Sequence, residues 1–141
     1  YLIKDEKVVV MDTIDRRKTD EWLKNLEDEL QGRNIDYLVI SHLEPDHAGS
    51  IKIFLDKYPD GTIVGNSKTF EMLPQFFDIN PDIKKMTVKE GDTLNIGKHT
   101  LQFIMAPMVH WPEVMVTYEQ TEKVLFSADA FGKCRGRGRR A

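Results

Sequence analysis

Two imidazoles and two carboxylates fall within six residues of this chain, His42-Leu43-Glu44-Pro45-Asp46-His47, inside the stretch Ser41 to Ser50. Nitrogen and oxygen donors at this density suit a cation. Imidazole takes zinc, iron, copper or nickel, and carboxylates take harder ions and can bridge a pair of them. On a loop, residues two apart can turn to one side, so His42 and Glu44 could share one metal. Asp46 and His47, past the bend at Pro45, could serve another, and a bridging carboxylate would hold the two about 3.5–4 Å apart. A blander reading gives each residue a private role, with Asp46 as a helix cap and Glu44 as a solvated acid. It does not account for four donors placed together directly after a buried strand.

Three further residues bear on this cluster. His110 lies in Pro107-Met108-Val109-His110-Trp111-Pro112, a proline-bracketed loop at a strand end, where ligands are commonly placed. Asp129 follows an apolar strand in Phe126-Ser127-Ala128-Asp129-Ala130-Phe131-Gly132, and serves either as a buried ligand or as a helix cap. His99, beside Lys98 and Thr100, is expected to be an exposed turn residue.

The elements that must position these groups are legible in outline. Tyr1–Ile3 and Lys7–Met11 read as strands about a turn at Lys4-Asp5-Glu6. Thr19 is a hydroxyl cap for a helix bearing Trp22, Leu23, Leu26 and Leu30 at helical spacing, with Gly32 as its stop. Tyr37–Ile40 is a buried strand leading into the donor loop. A second helix fits Ser50–Tyr58, and Thr62–Gly65 is a strand. Ser67 caps a third helix that Pro74 should kink or shorten. Ile83–Val88 is a strand, and two hairpins follow, Thr93–Ile96 with His99–Ala106 and Val114–Tyr118 with Lys123–Ser127. Strands alternating with helices and then running consecutively fit sheets covered by helices, an α/β class.

Composition limits the alternatives. The 141 residues suffice for one domain, and 40% hydrophobic with 30% charged residues is an ordinary globular balance. Lys133, Arg135, Arg137, Arg139 and Arg140 make the end basic, leaving 15 bases against 23 acids in residues 1–131. An acidic body argues against a nucleic-acid surface. Cys134 is the only cysteine, which rules out an intrachain disulfide and a cysteine-rich zinc or iron–sulfur site and suits a reducing compartment. No apolar run reaches the ~18 residues of a membrane span, and no signal-peptide pattern opens the chain. A cytoplasmic protein without membrane or nucleic-acid partners is expected. The start at Tyr1 suggests a fragment.

Three motifs taken together resemble a known family: His42-x-Glu44-x-Asp46-His47, then Met108-Val109-His110-Trp111-Pro112-Glu113, then Phe126 to Gly132. In this order they resemble the metallo-β-lactamase-like domain of flavodiiron proteins, or A-type flavoproteins, over residues 1–132. Hydrolytic members of that superfamily look like His-x-His-x-Asp-His and usually hold two zinc ions. Glu44 stands where they have histidine. A carboxylate there adds negative charge, which favours the higher oxidation state of a redox metal, and it is a harder donor for iron.

The resemblance implies an αββα sandwich, incomplete at its C-terminus. It implies two iron ions, one on His42, Glu44 and His110, the other on Asp46 and His47, with Asp129 bridging. It also implies a further downstream histidine on the second iron and a flavodoxin-like FMN domain, both absent from this chain. Partners would be a head-to-tail homodimer mate, whose FMN lies near the di-iron site, and a rubredoxin-like or flavin reductase electron donor. The reaction would be reduction of O2 to water or NO to N2O, with Trp111 and Phe131 as apolar walls. Residues 133–141 break the family pattern and should be disordered, as in a truncated or frame-shifted reading, or else form a basic tail attracting RNA or membrane. The 141 residues alone are expected to bind metal weakly or heterogeneously and to show no turnover with NADH-linked reductants. A dizinc hydrolase of a thioester, phosphodiester or lactam, and a non-catalytic remnant, are the alternatives.

Overall fold

A computed structural model describes residues 1–132, so the basic segment 133–141 lies outside the described residues. The strands are β1 (Leu2–Lys4), β2 (Val8–Met11), β3 (Tyr37–Val39), β4 (Thr62–Gly65), β5 (Lys85–Thr87), β6 (Thr93–Asn95), β7 (Thr100–Met105), β8 (Met115–Glu119) and β9 (Val124–Phe126). The helices are α1 (Thr19–Leu30), α2 (Pro45–Ala48), α3 (Ile51–Lys57) and α4 (Ser67–Phe76). One sheet has the order β1-β2-β3-β4-β5 and the other β6-β7-β8-β9.

Alternation along the strands explains the layering. Val8, Val10, Leu38 and Ile63 point to one face of the first sheet and pack with Leu23, Leu26 and Leu30 of α1, Ile51 and Phe54 of α3, and Leu73 of α4. Val9, Met11, Val39 and Val64 point to the other face, against Ile96, Leu101, Phe103 and Met115 of the second sheet. The side-chain period of two thus serves two cores from one set of strands. β2, β3 and β4 are parallel neighbours, as are β4 and β5. Parallel pairing requires crossovers, and each crossover here carries a helix. The second sheet is wholly antiparallel. A helix layer, a sheet and a second sheet are therefore in place. Among the described residues no helix covers the outer face of the second sheet, where Leu125 of β9 is exposed.

Two cap assignments from sequence give way to neighbours. Thr19 is the first residue of α1, not its cap, because its hydroxyl is taken by the Arg16 carbonyl and by Ser50 Oγ at 2.6 Å. Asn66, not Ser67, caps α4, its Oδ1 accepting from the Thr69 amide at 2.9 Å. Pro74 sits inside α4, which ends two residues later. Ahead of Gly32, Gln31 already takes the left-handed conformation that ends α1.

His99 is not a free turn residue. Its ring Nδ1 and backbone amide meet Asp5 Oδ2 at 2.6 and 2.8 Å, tying the β1–β2 turn of one sheet to the β6–β7 turn of the other. Burial pushes the Asp5 carboxyl up. The bonds from the His99 ring and amide, with those from the Glu6 and Lys98 backbones, outweigh it and hold Asp5 well below the usual carboxylate range. A carboxylate depressed in the folded state stabilises above its unfolded pKa, about 3.9, and loses that contribution as pH falls through the folded value. The melting temperature of Asp5→Asn should therefore lie below wild type at pH 7, with the gap closing below about pH 4. A gap that stays constant to pH 2 would contradict the clamp.

Candidate metal centre

The donor loop leaves the carboxyl end of β3, beside the end of β2 where Asp12 sits. Open parallel sheets place ligands at such strand ends. A short helix precedes the one expected over Ser50–Tyr58. Pro45 opens α2 with its fixed φ, so Asp46 and His47 are carried on a helical turn. Gly49 ends that turn close beneath it. A Cβ there would stand 2.5 Å from the Pro45 carbonyl oxygen and 3.1 Å from the Arg16 nitrogen. Gly49→Ala should cost about 1–3 kcal/mol of stability by overpacking, and push the turn carrying Asp46 and His47 out of place. A wild-type urea midpoint for this variant would contradict the close packing.

The second sheet supplies the other donors. His110 comes from the β7–β8 connection and Asp129 from the turn after β9. That turn is held by the Gly132 amide donating to the Asp129 carbonyl at 2.8 Å. Ala128 (φ 47°), Met108 (φ 66°) and Asp12 (φ 57°) all adopt left-handed backbone within two residues of a site side chain or at one. Such conformations cost energy in L-residues and collect at functional sites.

All six residues singled out by sequence come together. Donor atoms of His42, Glu44, His110 and Asp129 lie within 4.8 Å of one another, and so do those of Asp46, His47 and Asp129. Glu44 Oε2 stands 3.3 Å from His42 Nε2 and 3.2 Å from His110 Nε2. Asp129 divides its oxygens: Oδ1 is 3.1 Å from His47 Nε2, and Oδ2 is 3.8 Å from His110 Nε2. His42 is buried and His110 is exposed, so the cluster opens on the His110 side. Trp111 packs edge-on against the His42 ring at 5.2 Å and against Phe76 at 5.5 Å, forming one wall. Phe131, expected as a second wall, is 80% exposed and walls nothing.

Two residues not assigned from sequence complete the arrangement. Asp12 Oδ2 is 3.1 Å from His47 Nδ1, and its Oδ1 accepts from the Ser41 amide at 2.6 Å. Glu113 Oε1 is 2.7 Å from His42 Nδ1. Each carboxylate takes the Nδ1 side of a histidine and leaves Nε2 to the cluster, the usual arrangement behind metal-binding imidazoles. The hydrogen bond that the His47 ring donates to Asp12 lifts the His47 pKa to about 9, against burial and with help from Asp129. Burial lowers His42, and the bond and charge of Glu113 more than offset it, so its pKa is raised. Burial pushes Glu113 up, and the His42 and Leu43 hydrogen bonds bring it below the usual range. Glu113 belonged to the His-Trp-Pro-Glu motif, and Asp12 stood at the end of an apolar strand. Pairing each with its histidine, 71 and 35 positions away in sequence, required the fold.

Five carboxylates (Asp12, Glu44, Asp46, Glu113 and Asp129) thus surround three imidazoles. Even with every ring protonated the cluster stays negative, and bound cations would neutralise it. The donors are all nitrogen and oxygen, and the 3.1–3.8 Å separations suit donors sharing an ion about 2.0–2.2 Å away. The residues present fit a pair of metal ions.

A helix layer against two stacked sheets, with this loop at the strand ends, is the metallo-β-lactamase-like fold. The family model "ODP family beta lactamase" matches residues 1–140, and the chain belongs to that family. It is 39% identical over 134 residues to the anaerobic nitric oxide reductase flavorubredoxin of Vibrio vulnificus, an alignment covering 94% of this chain and 27% of that protein. Among solved structures, it is similar to the flavodiiron protein from Giardia intestinalis, with a TM-score of 0.89 and 36% identity over 99% of this chain and 34% of that one. It is likewise similar to rubredoxin oxygen:oxidoreductase from Desulfovibrio gigas, with a TM-score of 0.83 and 36% identity over 89% of this chain and 31% of that one. The chain therefore spans about a third or less of the length of these relatives. Among its described residues no helix is long and apolar enough to cross a membrane.

Proposed function

We propose that this chain is the di-iron domain of an FMN-dependent oxygen or nitric oxide reductase, reducing O2 to water or NO to N2O. The observation that carries the reading is the division of Asp129 between the two donor groups, with Oδ1 toward His47 and Oδ2 toward His110. A carboxylate shared in this way suits two ions side by side, and the family relationship supports iron as their identity. His42, Glu44 and His110 would hold one iron, Asp46 and His47 the other, and Asp129 both. When bound, the irons would supply the redox change, with electrons drawn from FMN.

The chain's own residues do the remaining work. Glu113 and Asp12 hold the His42 and His47 rings with Nε2 toward the cluster. Trp111, backed by Phe76, covers the His42 ring, and the open His110 side admits a small diatomic substrate. Glu44 supplies the negative charge that separates this donor set from an all-imidazole one. In the whole protein, a head-to-tail homodimer would bring the FMN domain of a second subunit to this opening, with a rubredoxin-like or flavin reductase donor upstream. Residues 1–132 would form the larger part of the metal domain, in a cytoplasmic protein.

The donor groups are unequal, four residues against three, so metal should bind in two steps of different affinity, the second weak. Residues 1–141 by themselves, given no FMN, should not turn over with NADH-linked reductants. Metal analysis after anaerobic expression, with iron and zinc supplied equally, tests the assignment. Iron is expected to predominate. Zinc alone, together with hydrolysis of a thioester, phosphodiester or lactam, would overturn it.

A further inference from the structure

We propose that Glu113 is the positioning residue of the His42 metal ligand, and that the centre uses its buried negative charge and not its hydrogen bond alone. This rests on the metal-binding reading above. Glu113 is 0% exposed and lies three residues after His110. One loop therefore delivers one donor to the cluster and orients another from behind.

The geometry separates charge from hydrogen bonding. Oε1 lies 2.7 Å from His42 Nδ1 and 2.7 Å from the Leu43 amide nitrogen. Oε2 is buried and has no hydrogen-bond partner among the described residues. Both bonds converge on one oxygen, so a glutamine would reproduce them with its carbonyl and put its amide where Oε2 now sits. Packing and hydrogen bonding therefore do not require glutamate at this position. An anion behind Nδ1–H does: it makes Nε2 more basic, and Nε2 is the atom that faces Glu44 at 3.3 Å. The carboxylate is also held in place. The Glu113 carbonyl accepts from Asn66 Nδ2 at 2.8 Å, and Asn66 is the residue that caps α4. The Glu113 end of the loop is thereby fixed to the first sheet's β4–α4 turn.

The test compares wild type, Glu113→Gln and Glu113→Ala by Co2+ titration against a competing chelator. Visible cobalt bands report the site, nitrogen-detected NMR of the zinc-loaded protein reports the His42 tautomer, and thermal melting controls for folding. The proposal expects His42 to carry its proton on Nδ1 in wild type and in Glu113→Gln. It expects Glu113→Gln to weaken the tighter cobalt site about 10- to 100-fold, with altered bands and a melting temperature near wild type. Glu113→Ala should weaken it at least as much and lose the tautomer preference. Wild-type cobalt affinity and bands in Glu113→Gln would overturn the role of the charge and leave the metal reading intact. Failure of wild type to bind cobalt would overturn both. A zinc-loaded wild type whose His42 binds the metal through Nδ1 and carries its proton on Nε2 would overturn the positioning role without any variant.

Discussion

Asp129→Asn is expected to abolish the second metal-binding step and to weaken the first at least about a hundredfold, the upper end of what even an outer partner's loss costs. The size of the effect follows from position. Asp129 is the one residue common to both donor groups. Its carboxylate faces His47 with one oxygen and His110 with the other, and asparagine keeps one oxygen but loses the charge. The fold should tolerate the change. Asp129 is partly exposed, and its turn is held by its backbone carbonyl, which the substitution leaves alone. Melting in the presence of a chelator should therefore stay near wild type, since surface changes usually fall within about 0.5 kcal/mol. Cobalt or iron titration followed by dialysis measures the loss. A variant that still takes up metal in two steps would show that Asp129 does not connect the groups.

Phe103→Ala is expected to remove about 3–5 kcal/mol of stability, the usual cost of deleting a buried phenyl ring. Phe103 is fully buried on β7, within the core between the two sheets. It shares that core with Val9, Val39 and Val64 from the first sheet and Met115 from the second. The loss would be large against a total of about 5–15 kcal/mol for a domain, and should lower the melting point by roughly 10–20 °C. The metal centre should suffer with it, because the first sheet carries His42 to His47 and the second carries His110, Glu113 and Asp129. Urea unfolding of wild type and variant measures the difference. A change under about 1 kcal/mol would mean that the intersheet core collapses around the missing ring.

Much of this was readable from residue order. The donor loop, the α1 stripe of Leu23, Leu26 and Leu30, and the two late hairpins carry their own periodicity. The six candidate donors were chosen from type and spacing together with the family pattern, and the fold brings all six into two adjoining groups. What was not readable depended on partners distant in sequence. Thr19 lost its capping role to Ser50, and His99 was claimed by Asp5, 94 residues earlier. Glu113 and Asp12 look like ordinary acids until the two sheets meet and place each behind a histidine. Phe131 is expected as a wall from the family pattern, but local order does not say which way a turn residue faces.

Anomalous diffraction at the iron edge, from crystals of the chain soaked anaerobically with Fe2+, examines the proposed centre directly. Two peaks should flank Asp129, the stronger among His42, Glu44 and His110 and the weaker beside Asp46 and His47. A map with density at neither position, or with iron held by other residues, would contradict the assignment.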